Sequence, residues 1–126
     1  MKLGEKTKTI LLVEDESLIL LSLKIVLEDL DYQVITATNG HEALQLYQQH
    51  QDKIDLVITD KAMPGMDGLE LLAALRTQSH DLKMVLMTEY ALDIANAPIN
   101  SRKSLWCIAK PFNMSTIAEL VKEALA

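Results

Sequence analysis

Five short apolar runs constrain this chain more than anything else in it. They are Ile10-Leu11-Leu12-Val13, Val34-Ile35-Thr36-Ala37, Leu56-Val57-Ile58-Thr59, Met84-Val85-Leu86-Met87 and Trp106-Cys107-Ile108-Ala109. Such runs are too short to be useful helices. They are also apolar along their whole length rather than at alternate positions, so the strands they form need cover on both faces. Strands of that kind belong in a parallel sheet with helices packed on either side.

The segments between the runs have helical spacing. Ser17 to Leu30 repeats Ile19, Leu23, Val26, Leu27 and Leu30 at helical intervals. Asn39 with Glu42 three residues on reads as a helix start, leading through Leu44 and Tyr47 to about His50. After a loop with Pro64, Gly65 and Gly68, Leu69 to Arg76 reads as a third helix, with Asp67 as its cap. Asn113 caps a last helix whose Ile117, Leu120, Val121, Ala124 and Leu125 form one stripe. That helix reaches the final residue, so no output domain is expected after it.

One segment fits poorly. Ala91 to Ser104 should hold the fourth helix, but Asn96, Pro98 and Asn100 interrupt it. A proline inside a helix removes a hydrogen bond and clashes with the preceding turn, at about 3 kcal/mol or more. A short, displaced or mobile helix is expected there.

The pattern predicts an α/β fold, a flavodoxin-like doubly wound five-stranded parallel sheet of order 2-1-3-4-5. It is a (βα)5 chain with an atypical fourth helix. Residues 1–8 read as a tail and residues 9–126 as a single domain.

Composition removes several functions. The 126 residues carry 12 Lys plus Arg against 18 Asp plus Glu, for a net charge of −6. Binding duplex nucleic acid needs clustered cations, and the densest basic spot is Arg102-Lys103. No direct nucleic-acid binding by this domain is expected. No apolar run approaches the ~20 residues of a membrane helix, and the first residues lack the apolar centre of a signal peptide. The single cysteine, Cys107, forms no internal bridge, in keeping with a reducing, cytoplasmic location.

In an open α/β sheet, ligands bind beyond the carboxyl ends of the strands, at the point where strand order reverses. The first run ends in Glu14-Asp15 followed by Glu16, and the third in Asp60. Those two ends are neighbours across the reversal point, so their carboxylates converge. Clustered carboxylates repel unless a cation sits among them, and hard oxygen ligands with room for water suit Mg²⁺. The fourth run ends in Thr88, a hydroxyl donor, and the fifth in Lys110 before Pro111.

With those residues in place, the chain resembles the receiver (response-regulator) domain of two-component signalling over roughly Thr9 to Ala126. The pieces that carry the resemblance are Leu12-Val13-Glu14-Asp15-Glu16, Asp60-Lys61-Ala62-Met63-Pro64-Gly65-Met66-Asp67-Gly68, Thr88, and Lys110-Pro111-Phe112. The resemblance implies a role for each. Asp60 would accept a phosphoryl group from the phosphohistidine of a sensor histidine kinase or phosphotransfer protein. Asp15 would bind Mg²⁺ directly and Glu14 less directly, with Asp60 and the Ala62 carbonyl completing the protein ligands. Lys110 would pair with a phosphoryl oxygen across a cis Lys110-Pro111 peptide, and Thr88 would swing to hydrogen-bond another. The domain would then act as a switch rather than an enzyme, catalysing only its own phosphotransfer and slow autodephosphorylation. A downstream effector would meet the face made by the interrupted segment, the fifth strand and the last helix.

Three positions depart from the family pattern. Glu89 follows Thr88 where Ala or Gly is usual, and a carboxylate there is expected to repel an incoming donor. Cys107 stands three residues before Lys110, where the family carries an aromatic switch residue. Trp106, one residue earlier, has the opposite strand parity, so a bulge restores the ring, the threonine–aromatic coupling is broken, or both residues are ordinary sheet packing. The third departure is the interrupted segment itself. Glu89 and Cys107 favour one alternative, a receiver-like interaction domain with impaired phosphorylation switching, while the intact Asp15, Asp60, Thr88 and Lys110 argue against it. A Mg²⁺-dependent phosphohydrolase is disfavoured, because the second Asp such enzymes place two residues after the nucleophile is Ala62 here.

Overall fold

The structure, a computed structural model, describes residues 7–89 and 104–126. The described residues form β1 (Thr9–Val13), α1 (Ser17–Asp29), β2 (Gln33–Ala37), α2 (Gly40–His50), β3 (Ile54–Asp60), α3 (Gly68–Gln78), β4 (Lys83–Thr88), β5 (Leu105–Ala109) and α4 (Met114–Ala124). All strand pairs are parallel and the order is β2-β1-β3-β4-β5, as the apolar runs predict. The expectation about Ala91 to Ser104 falls, Ser104 apart, outside the described residues.

The parity of each strand sorts its side chains between two cores. On one face Leu11, Val13, Val57, Met84 and Leu86 meet Ala43 and Tyr47 of α2 and Leu71, Leu72 and Leu75 of α3. On the other, Ile10, Leu12, Leu56, Ile58, Val85 and Met87 meet Leu23 and Leu27 of α1 and Ile117, Val121 and Ala124 of α4. The three inner strands therefore need apolar residues at consecutive positions. Full burial of each large aliphatic chain contributes roughly 1.5–3 kcal/mol. The border strands β2 and β5 are covered less completely, and Thr36 and Cys107 are tolerated there.

The helix starts are set by short polar side chains. Asn39 accepts a hydrogen bond from the Glu42 amide at 2.8 Å, Asp67 from Glu70 at 2.9 Å, and Asn113 from Thr116 at 2.8 Å. Asp67 and Glu70 complete a reciprocal capping box. In α1 the expected stripe needs one correction. Leu23 and Leu27 are buried, but Leu30 is half exposed, because the helix has closed by Asp29 and Leu30 is its C-terminal cap. Leu18, Leu21 and Ile25 are exposed as well.

Candidate functional site

Every candidate side chain lies at the carboxyl edge of the sheet. Beyond the strands, short backbone links hold this edge in register. The Glu14 amide donates to the Ala37 carbonyl at 3.1 Å, the Lys61 amide to Met87 at 2.9 Å, and the Lys110 amide to Thr88 at 2.8 Å. The Lys110-Pro111 peptide is cis. Gly68, the first residue of α3, packs directly on the turn after Asp60, and its amide donates to the Lys61 carbonyl at 2.8 Å.

Three carboxylates converge here. Glu14, Asp15 and Asp60 each offer an oxygen within 4.8 Å of the others'. Glu14 is fully buried, Asp60 is buried and Asp15 is exposed. The Lys110 ammonium reaches into the group, with Nζ 2.9 Å from Asp60 Oδ1 and 3.9 Å from Glu14 Oε2. Thr88 is buried at the end of β4. A cleft of about 200 Å³ opens over them, lined by Glu16, Asp60, Lys61, Ala62, Thr88, Glu89 and Lys110.

The electrostatics follow from burial and proximity. Burial first, then the charge on Asp60, pushes Glu14 up from an ordinary 4.5 to about 7. Lys110 and the Glu16 amide, which donates to Glu14 Oε1 at 3.3 Å, pull the other way, and Asp15 adds to the rise. Burial alone would lower Lys110. The hydrogen bond to Asp60 and the charges of Glu14, Asp60 and Glu16 outweigh it, so Lys110 is raised and stays protonated.

One atom distinguishes a cation site from a plain ion pair. Glu14 Oε2 is buried and accepts no hydrogen bond. A buried carboxylate oxygen left unsatisfied is costly. A divalent ion among Glu14, Asp15 and Asp60 would satisfy it, and an all-oxygen, partly solvated donor set is the kind that suits Mg²⁺. The residues present fit the ion.

Of the candidates, Asp60, Ala62, Thr88 and Lys110 line the cleft, and Glu14 and Asp15 join them through the carboxylate group they share with Asp60. Two further residues in the cleft were noted in the sequence without a role. Lys61 lines it directly after Asp60, and Glu16 lines it while its amide braces Glu14. Adjacency to the acidic strand ends was the available signal for both. At the aromatic position there is no bulge. β4 and β5 pair residue for residue from Met84 with Leu105 to Thr88 with Ala109. Trp106 consequently packs on the α1/α4 core, while Cys107 lies on the opposite face and is exposed.

Sheet order, switch-point carboxylates and the lysine after β5 together describe a two-component signalling fold. Residues 10–122 match the family of response regulator receiver domains, and the chain belongs to that family. Sensor kinase CckA of Brucella abortus (strain 2308) is 34% identical over 93% of this chain, which spans only 12% of that protein's length. Sporulation initiation phosphotransferase F of Bacillus subtilis (strain 168) is 34% identical, with 92% of each chain covered. The structure of response regulator protein TrrA from Thermotoga maritima, in complex with Mg(2+)-BeF, is similar with a TM-score of 0.83 and 35% identity, covering 94% of this chain and 100% of that one. Receiver domains are signalling modules rather than turnover enzymes, and they partner with histidine kinases or phosphotransfer proteins. Among the described residues, no helix is long and apolar enough to cross a membrane.

Proposed function

We propose that this receiver domain takes a phosphoryl group from a partner's phosphohistidine onto Asp60 in a Mg²⁺-dependent reaction, and signals through the resulting change at Thr88. The observation that carries this reading is the pairing of Lys110 Nζ with Asp60 at 2.9 Å beside a buried Glu14 oxygen with no hydrogen-bond partner. An acceptor carboxylate with its own cation therefore stands next to a donor set that calls for a second one.

Glu14, Asp15, Asp60 and the Ala62 carbonyl would hold the Mg²⁺. When bound, the ion supplies positive charge to the transferring phosphoryl oxygens. The chain's own residues do the rest. A carboxylate oxygen of Asp60 attacks the phosphorus as the P–N bond breaks, and the imidazole leaves with the electron pair, giving an acyl phosphate. Lys110 is kept protonated by its surroundings and faces the new phosphoryl oxygens as a point charge. Thr88, at the end of β4 and lining the same cleft, supplies a hydroxyl to another oxygen. Attack of water on phosphorus returns Asp60 to its free form slowly. The TrrA structure supports the reading, since a chain of the same fold is solved in complex with Mg²⁺ and BeF, a phosphoryl mimic.

The test is to add Mg²⁺ with acetyl phosphate and follow intact mass. The gain of one phosphoryl group, lost in Asp60→Asn and in the presence of EDTA, is the expected result. Absence of any adduct, together with failure to bind beryllofluoride, would leave the non-cycling interaction domain as the better reading. The departures at Glu89 and Cys107 are what favour that second reading.

A further inference from the structure

Among the described residues, Glu89 is a departure from the family pattern that lies in the wall of the phosphoacceptor cleft itself. It is exposed, directly follows Thr88, and also borders a neighbouring cavity of about 560 Å³ lined by Ile19, Pro111, Phe112 and Met114. Glu89 and Lys110 thus form a partition between the two spaces. A charge balance shows what a donor meets there. With Mg²⁺ in place, the negative charges of Glu14, Asp15 and Asp60 are matched by the ion and Lys110. Among the described residues that line the mouth, Glu16 and Glu89 carry negative charge and Lys61 positive. Glu89 directly follows Thr88, so its carboxylate adds negative charge to the wall that an approaching anion passes.

We propose that Glu89 is a donor-selecting residue, whose carboxylate at the cleft mouth disfavours small, highly anionic phosphodonors. It favours donors carrying less negative charge at the reacting phosphorus, such as a protein side chain flanked by cations. The inference rests on Asp60 being the phosphoacceptor. The selection acts on approach and leaves the chemistry unchanged: a P–O bond to Asp60 forms, the bond to the leaving group breaks, and that group departs with the electron pair. Acetate leaves from acetyl phosphate and, after protonation, ammonia from phosphoramidate.

These two donors provide the test, because acetyl phosphate carries about two negative charges near neutral pH and phosphoramidate about one. Rates of adduct formation with Mg²⁺ would be measured by intact mass for wild type, Glu89→Gln and Glu89→Ala, at low and high salt. Both variants are expected to accelerate reaction with acetyl phosphate roughly 3- to 10-fold at low ionic strength and with phosphoramidate distinctly less, and the gain shrinks in high salt as the charge is screened. A donor ratio unchanged by either variant overturns the proposal. Acceleration in Glu89→Ala but not in Glu89→Gln also overturns it, because size rather than charge would then be the cause. Absence of adduct in all three proteins with both donors overturns the phosphoacceptor reading itself, and donor selection with it.

Discussion

Glu14 has no exposed surface, sits 3.9 Å from Lys110 and has a buried oxygen that accepts no hydrogen bond. Burial, and after it the charge of Asp60, puts its folded pKa at about 7, against an ordinary 4.5. Between those two values the metal-free folded protein holds a proton that the unfolded chain has released. The contribution of Glu14 to stability is therefore fullest below about 4.5 and is lost as pH rises through about 7. The loss amounts to about 3 kcal/mol if Glu14 alone is responsible. Lys110 does not interfere: its folded pKa is raised, so its contribution is lost only above the ordinary lysine range. Urea unfolding in EDTA at pH 5 and pH 8 should show the decline, and Glu14→Gln should flatten it. Added Mg²⁺ should restore stability at pH 8 and do little at pH 5, because ion and proton compete for the same carboxylate. At this scale the sequence was informative about identity and silent about state. Glu14, Asp15 and Asp60 could be read from strand ends and a reversal point. That Glu14 is sealed from water while Asp15 is exposed depends on packing, which no spacing rule encodes.

Glycine and asparagine at element ends show how the helices deliver that edge of the sheet. An added Cβ on Gly68 would collide with the Asp60 carbonyl oxygen and lie 2.8 Å from the Lys61 Cα, both of them backbone atoms. Gly68→Ala should therefore push α3 away from the acceptor turn. It should cost about 1–3 kcal/mol in urea unfolding and weaken Mg²⁺ binding, read by titration. On Gly40 the nearest atoms are those of the Met66 side chain, with Sδ at 2.8 Å. A flexible thioether can move aside, so Gly40→Ala should cost less and leave the metal affinity intact. At the start of α4, Asn113 Oδ1 accepts from the Thr116 amide at 2.8 Å and from the Ser115 and Thr116 hydroxyls. Asn113→Ala should cost about 1 kcal/mol, again by urea unfolding, with site chemistry preserved. The caps Asn39, Asp67 and Asn113 were legible because capping is local, a short polar side chain three residues from the amide it holds. The inward face of α1 was less so. With Leu18, Ile19, Leu20, Leu21, Leu23, Ile25, Val26 and Leu27 in one helix, several stripes satisfy helical spacing. The sheet beneath chooses Leu23 and Leu27 and leaves Leu18, Leu21 and Ile25 outside.

Across the whole molecule the sheet separates two cores, and the strand residues near the site report to one or the other according to parity. Met84 and Leu86 belong to the α2/α3 side and Val85 and Met87 to the α1/α4 side, which puts Thr88 in the row of Met84 and Leu86. Cys107 pairs with Leu86 and shares that row's face, whereas Trp106 pairs with Val85 and packs with the α1/α4 core. The sheet therefore stands between Trp106 and the row that contains Thr88. The sequence posed this question through parity alone; the uninterrupted pairing of β4 with β5 answers it, because a bulge was the one device that could have turned the ring over. The physical consequence concerns where a phosphoryl signal travels. A movement of Thr88 toward Asp60 alters the row shared with Cys107 before it alters anything packed around Trp106. Loading the protein with Mg²⁺ and beryllofluoride should therefore change the rate at which a thiol reagent modifies the exposed Cys107, with a much smaller change in Trp106 emission. Thr88→Val should remove the effect at Cys107 while beryllofluoride still binds, because Asp60 and Lys110 remain. A large Trp106 response that survives Thr88→Val, with Cys107 reactivity constant, would mean that the signal leaves through α1 and α4 instead, carried by Lys110 and the turn into α4 rather than by the threonine.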